Sequence, residues 1–248
     1  MEVHHHAHHG GKKNWKSYFW EFLMLFLAVF CGFLAEYQLE HIIEKQKARQ
    51  YINSFVQDLE IDDKQIDALI PEFIEKDKLL DTLLQKIRGI NNSTGANGIY
   101  KYYRQPFTYP DFIYSDRTIQ QLKNSGGMRL IANTAASDSI TSYDAAIRSI
   151  SIILTEGAKD LTLPVMALSF KLFDLKCCPE LGTAVPFAQF VFPEHGELLT
   201  YDNKILTEYF NIVQEIKRQF GLYLRDLRLL KNKNNRVRDY LKKEYHLK

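Results

Sequence analysis

The residues best suited to chemistry by type are histidines. MEVHHHAHHGG places His4, His5, His6, His8 and His9 within six positions, and imidazoles at that density can share Zn, Ni or Cu ions. Without helical spacing or a cysteine partner such a tract is flexible and unselective, so metal binding and a plain solvated tail both stand as readings. A second acid-base group is Glu194, His195 and Glu197 in PEHGE. Two carboxylates flanking an imidazole can bind a metal or move protons, although a single loop histidine is far more often surface decoration. The thiols are Cys31 and the adjacent pair Cys177 and Cys178. Adjacent cysteines strain a mutual disulfide ring, so two reduced, packed thiols in a turn before Pro179 are expected, with a vicinal or intermolecular bridge as the alternative. Asn91 and Asn92 head N-x-S/T triplets, which matter only in a glycosylating pathway. The chain has no phosphate-cradling Gly loop, no HExxH, no CxxC and no G-x-S-x-G elbow. No catalytic residue and no cofactor is therefore expected, and a non-enzymatic role is the reading.

The elements that would position these groups are helical, and the first is apolar. From Phe22 to Ala35 there is no charged or strongly polar side chain. With Tyr18, Phe19 and Trp20 the run, interrupted only by Glu21, reaches the length that crosses a hydrocarbon layer of about 30 Å. Lys12, Lys13 and Lys16 precede it, whereas Glu36, Glu40 and Glu44 follow before any lysine. Retention of basic flanks in the cytoplasm predicts an inside N-terminus and an exported remainder, with Trp15, Tyr18, Trp20 and Tyr37 as interfacial anchors. A cleaved signal peptide shares the basic start and apolar core, but Phe33 stands where a small residue should precede a cut after Ala35. Phe30 likewise fills a place that a lipoprotein signal at Cys31 gives to a small residue. Within the run Ala28, Gly32 and Ala35 lie about a turn apart, a strip on which another helix could pack; small residues are also simply common in membrane helices.

Net charge is +2 and 25% of residues are charged, which does not suggest a nucleic-acid binder. Beyond the run, Ile52, Leu59, Ile66, Phe73, Leu80 and Ile87 recur every seven residues. They predict a long helix with one apolar seam, its charged faces EKQKARQ and QDLEIDDKQ solvated and Pro71 kinking or breaking it near Ile70. Residues 89 to 114 are rich in Gly, Asn, Ser and Pro, and then in aromatics. Tyr102, Tyr103, Phe107, Tyr109 and Phe112 would form either a rim for a ligand or partner or a cap on the core. A short helix is expected from Ser115, capped by Ser115 or Asp116 and stopped at Gly126 and Gly127. A brief helix and then a long one should follow from Met128, the long one capped near Ser137 and running to about Leu175 with bends near Gly157 and Pro164. Residues 176 to 202 are irregular, and Phe187, Phe190 and Phe192 suit a short strand against the Tyr-rich loop.

The last helix has the seam Leu206, Tyr209, Val213, Ile216, Phe220, Tyr223, Leu227, Leu230, Asn234, Val237 and Leu241, with Asp202 or Asn203 as cap and Asn234 as a register-setting polar position. Antiparallel to the first rod, it would bring its basic end, including Arg236, Arg238, Lys242 and Lys243, back to the bilayer. There those cations would meet phospholipid head groups or an acidic partner; a solvated basic face favoured by the helix dipole is the equal alternative. From Arg225 onward nine lysines and arginines face only Asp226, Asp239 and Glu244.

The order of a basic tail, an FxxFLMLFLAVFxGFxAE span, FTYPDF, RTIQQLKNSGGMRLIAN and DSITSYD resembles an uncharacterised family of single-span bacterial inner-membrane proteins of unknown function. The likeness runs to about Tyr143, and TIQQLKNSGGMRLI is its most specific segment. It implies topology and compartment but no activity.

The expected fold is mainly α, with residues 1–17 a cytoplasmic His-rich tail and residues 18–39 a transmembrane helix. Residues 40–248 would form an elongated extracytoplasmic antiparallel helical bundle with two irregular aromatic-rich loops, in the periplasm of a bacterium. The expected partners are the lipid bilayer and a membrane protein or a second copy of the chain, not nucleic acid. The expected function is a non-enzymatic scaffold or accessory subunit of an envelope complex; the alternative is an extracytoplasmic sensor that binds ligand at the aromatic loops and signals through a partner.

Overall fold

The computed structural model describes residues 14–90, 96, 98–102, 107, 110, 112–152, 157, 159–178, 192 and 196–247. Among these residues five α-helices form, α1 (Trp15–Gly89), α2 (Arg117–Asn124), α3 (Thr134–Ile152), α4 (Thr162–Leu172) and α5 (Asn203–Glu244). Among the described residues there is no strand, and an isolated antiparallel bridge joins Phe173 to Leu198. The expected pairing of Phe187 and Phe190 lies outside the described residues, and Phe192 is in neither strand nor bridge. The chain divides into two compact units, Met1–Gln50 and Tyr51–Lys248, and α1 contributes to both.

In the first unit the apolar run of α1 is exposed on every side. Phe22, Leu25, Val29 and Phe33 stand in the open together with Trp15, Trp20 and Tyr37. The most apolar 18-residue window of the helix has a mean hydropathy of 2.0, and no part of it counts as buried within the protein. The helix is long and apolar enough to cross a membrane. One of its faces is a ladder of rings, with Phe22 stacked on Phe26 at 6.2 Å and Phe26 on Phe30 at 5.8 Å. The small strip is open: a Cβ added at Gly32 would meet nothing within 4 Å.

In the second unit the seams fold as their spacing predicts. Ile52, Leu59, Ile66, Phe73, Leu80 and Ile87 on α1 and all eleven seam positions of α5 are buried. Each large apolar side chain among them contributes on the order of 1.5–3 kcal/mol relative to exposure. Phe73 meets Phe220 edge-on at 5.2 Å and Tyr223 at 4.7 Å. Lys217 pairs with Asp77, Lys231 with Asp67, Arg238 with Asp63 and Lys242 with Glu60. One number rises as the other falls, so α5 runs opposite to this part of α1. Asp202 caps α5 as predicted, accepting from the amides of Lys204 at 2.7 Å and Ile205 at 3.3 Å.

Three local expectations change. Pro71 does not break α1, which continues through it as helix. Pro71 and Asp67, whose carbonyl loses its helical partner, are both on the exposed face, which leaves the freed oxygen on the solvent side of the helix. The cap of α3 is Asn133 rather than Ser137, its Oδ1 accepting from the Ala136 amide at 3.1 Å. The long continuation to Leu175 is also replaced, with α3 ending at Ile152 and α4 beginning at Thr162. Pro164 falls in the first turn of α4, where a missing amide costs least.

Candidate functional site

The most highly built polar site surrounds two aspartates on α1. The face QDLEIDDKQ, expected to be solvated, is not: Asp58 is 2% exposed and Asp62 0%. These residues lie one turn apart beside the seam residue Leu59, so both point to where α2 begins. Asp116 at the N-cap of α2 makes no side-chain capping bond. Asp58 caps it instead, Oδ2 accepting from the Thr118 amide at 3.1 Å while Oδ1 accepts from Arg117 Nη2 at 3.0 Å. A carboxylate there also meets the positive end of the helix dipole. Asp62 Oδ1 takes the Ser115 amide at 3.0 Å.

The second oxygen of Asp62 starts a chain across three helices. Tyr143 of α3 donates its hydroxyl to Asp62 Oδ2 at 3.0 Å. Asn234 of α5, fully buried, donates from Nδ2 to the Tyr143 hydroxyl and to the Leu59 carbonyl, each at 2.9 Å. Asn234 Oδ1 and the Tyr114 hydroxyl are buried without a hydrogen-bond partner among the described residues. Burial raises Asp62 above the ordinary carboxylate value, opposed by the bonds from Ser115 and Tyr143, and the charge of Asp58 adds to the rise. Burial, and then the charge of Asp62, pushes Tyr143 and Tyr114 above the usual phenol range. Tyr143 therefore remains a hydroxyl donor at any physiological pH, and the chain of bonds keeps one direction. A neighbouring pair continues the cluster: buried Asp144 accepts from Lys123 Nζ at 2.6 Å and from Arg148.

A second built corner centres on Tyr100. Its hydroxyl donates to the Glu197 carbonyl at 2.7 Å and accepts from the Asp174 amide at 3.0 Å. It thus ties residues 196–198 to the 3-10 turn Leu175–Cys177. Burial, the leading cause, pushes this phenol up to about 12. Gly196 packs against the ring so closely that a Cβ would lie 2.3 Å from Cε2. The Leu199 amide completes the corner by donating to the Leu172 carbonyl at 2.9 Å.

The sequence-nominated residues are placed unevenly. The tail His4, His5, His6, His8 and His9 lies outside the described residues, as do Glu194, His195, Tyr103 and Tyr109. Tyr102 and Phe107 are buried and Phe112 is half-buried, all packed into the core as the capping alternative has it. Ala28, Gly32 and Ala35 are exposed. Of the basic end, Arg238 and Lys242 are engaged by Asp63 at 2.9 Å and Glu60 at 2.7 Å, whereas Arg236 and Lys243 are exposed. The anionic partners of this end therefore include α1, not only the acids on α5. A groove of about 700 Å³ between α1 and α5 is lined by Asp77, Asp81, Arg88, Lys217 and Arg218 among others. Its charges answer one another, Lys217 sitting between Asp77 and Asp81.

Sequence reasoning missed Asp58 and Asp62 because one helix's pattern does not show what packs against it. The available signal was their spacing of four beside a seam leucine, which puts both carboxylates at the edge of the buried face. Comparison with known protein families, with curated proteins and with solved structures finds no match.

Proposed function

We propose that this chain is a non-enzymatic, membrane-anchored scaffold or accessory subunit of a bacterial envelope complex, one of the single-span inner-membrane proteins that its motifs resemble. In this reading the N-terminus is cytoplasmic, and residues 40–248 form an elongated periplasmic helical bundle. The observation that carries it is the apolar run of α1, whose most apolar window is wholly unburied within the protein. Each large apolar side chain left in water forfeits on the order of 1.5–3 kcal/mol, and a bilayer removes that penalty along the whole run. The second support is the nature of the polar site. Asp58 and Asp62 spend their oxygens on the amides of Ser115 and Thr118, on Arg117 and on Tyr143. Groups so used fix three helices against one another, which is what a scaffold requires.

Native, untagged protein purified from gently solubilised membranes tests the proposal. A stoichiometric membrane-protein partner, or a defined homo-oligomer, is the expected result. A monodisperse monomer that co-purifies with nothing, from membranes solubilised under several mild detergents, would overturn it.

A further inference from the structure

The proposed function makes no use of the adjacent cysteines, and their geometry is specific. Cys177 is exposed, Cys178 is 2% exposed, and their sulfurs stand 3.6 Å apart. They lie where the 3-10 turn Leu175–Cys177 ends. That turn is held from several sides: the Asp174 amide by Tyr100, the Lys176 amide by the Asp174 side chain at 3.1 Å, and the Cys178 amide by the Leu175 carbonyl at 3.0 Å. The Cys177 thiol points back at the Asp174 carbonyl, 2.8 Å away. The pair is thus presented on a pinned turn with one sulfur facing solvent and the other just behind it.

Two chemistries suit neighbouring thiols, and distance separates them. A disulfide needs sulfurs at about 2.05 Å and Cα atoms about 4.4–6.8 Å apart, whereas a trans peptide holds adjacent Cα atoms at about 3.8 Å. Closing the bond would bring the sulfurs in from 3.6 Å and distort the turn that Tyr100 fixes. A chelate needs no such movement. Two thiolates bound to one ion at about 2.3 Å each, opened to a tetrahedral angle, stand about 3.8 Å apart. The observed spacing corresponds to that bite, closed by a few degrees. Among the described residues no group of three or more His, Cys, Asp or Glu side chains is arranged to hold a metal ion, and the donors described at this turn are the two sulfurs. Paired soft donors select thiophilic centres over hard cations, and a bite this narrow suits a pyramidal centre such as trivalent arsenic rather than a two-coordinate ion whose sulfurs lie on opposite sides.

We propose that Cys177 and Cys178 form a two-sulfur chelating site for a single thiophilic centre, a trivalent arsenical. No electrons move in the binding step. With an arsenical R–As(OH)2, two S–As bonds replace two As–O bonds, and the thiol protons leave with the hydroxyls as two waters.

The test uses the full-length protein in detergent micelles, reduced and then kept free of oxygen. Three thiols are present per chain, Cys31 included. One equivalent of phenylarsine oxide is expected to block two of the three. C177S, at the exposed position, keeps the fold by circular dichroism and loses about 100-fold or more in arsenical affinity, because the second sulfur no longer acts at a high effective concentration. C31S leaves uptake unchanged. The proposal is overturned if the arsenical blocks no pair at stoichiometric concentration, if C177S binds like the parent, if C31S abolishes binding, or if a mild disulfide oxidant closes the pair while the arsenical fails to bind.

Discussion

Replacing Tyr143 by phenylalanine removes one oxygen from the centre of the polar chain and leaves the ring, so no cavity forms. The ring's edge contact with Phe55 at 6.3 Å is kept. Two things are lost: the bond to Asp62 Oδ2 at 3.0 Å and the acceptor for Asn234 Nδ2 at 2.9 Å. Asn234 still donates to the Leu59 carbonyl, so its loss is partial. Asp62 is left fully buried with one oxygen bare. A hydrogen bond to a charged group contributes about 1.5–3 kcal/mol, against about 1 kcal/mol for a neutral pair, so Y143F should lower the unfolding free energy by about 2–3 kcal/mol where Asp62 is ionised. For a unit of this size that is a fall of about 4–12 °C in melting temperature.

The pH dependence adds a second readout. Burial raises the folded-state value of Asp62 above its ordinary 3.8. The folded state thus binds the proton more tightly than the unfolded chain, and stability falls as pH rises from about 3.8 through the raised value, then levels. Without the Tyr143 donor the carboxylate is harder to ionise still, so the penalty of Y143F is smallest in acid and grows toward neutrality. Urea unfolding of the full-length protein in micelles at a series of pH values measures both. A penalty under 0.5 kcal/mol at neutral pH, far below the charged-bond range, or a penalty that grows in acid, refutes the placement of an ionised Asp62 against Tyr143.

Further changes probe other parts of the same core. Asn234→Leu exchanges a buried amide with an orphaned Oδ1 for an apolar side chain; by analogy with polar seam positions it should raise the unfolding free energy by about 1 kcal/mol, and a loss of that size in urea titration would contradict it. Asp202→Ala deletes the bonds to the Lys204 and Ile205 amides and should cost about 1 kcal/mol by the same assay, so an unchanged midpoint rules out the cap. Gly196→Ala forces a methyl against the Tyr100 ring, whose hydroxyl is held on both sides; a loss of about 1–3 kcal/mol is expected in thermal melts, and none at all would show that the ring is not there.

Much of the helical skeleton was legible because burial repeats along a helix. The α5 seam from Leu206 to Leu241 is buried position for position, and Asp202 sits where a cap belongs. The stop after α2 was legible too, since Gly126 takes the left-handed φ of 66° that glycine alone adopts freely. What was not legible is what arrives from elsewhere in the chain. The cap of α2 comes from Asp58, sixty residues before Thr118, and the partners of Arg238 and Lys242 lie more than 170 residues away on α1. Pairing at such separations leaves no local pattern. The aromatics after Gly89 were ambiguous for a related reason: Tyr102 and Phe107 could face solvent or core, and only the packing of the other helices decides.

The account rests on the apolar run of α1 being an anchor with the bulk of the chain outside the cytoplasm. Protease added to intact spheroplasts measures that directly. The prediction is that residues beyond Gln38 are cut while a fragment carrying the run stays with the membrane. A chain that survives intact until the spheroplasts are lysed, or that is recovered free of membrane after export, contradicts it.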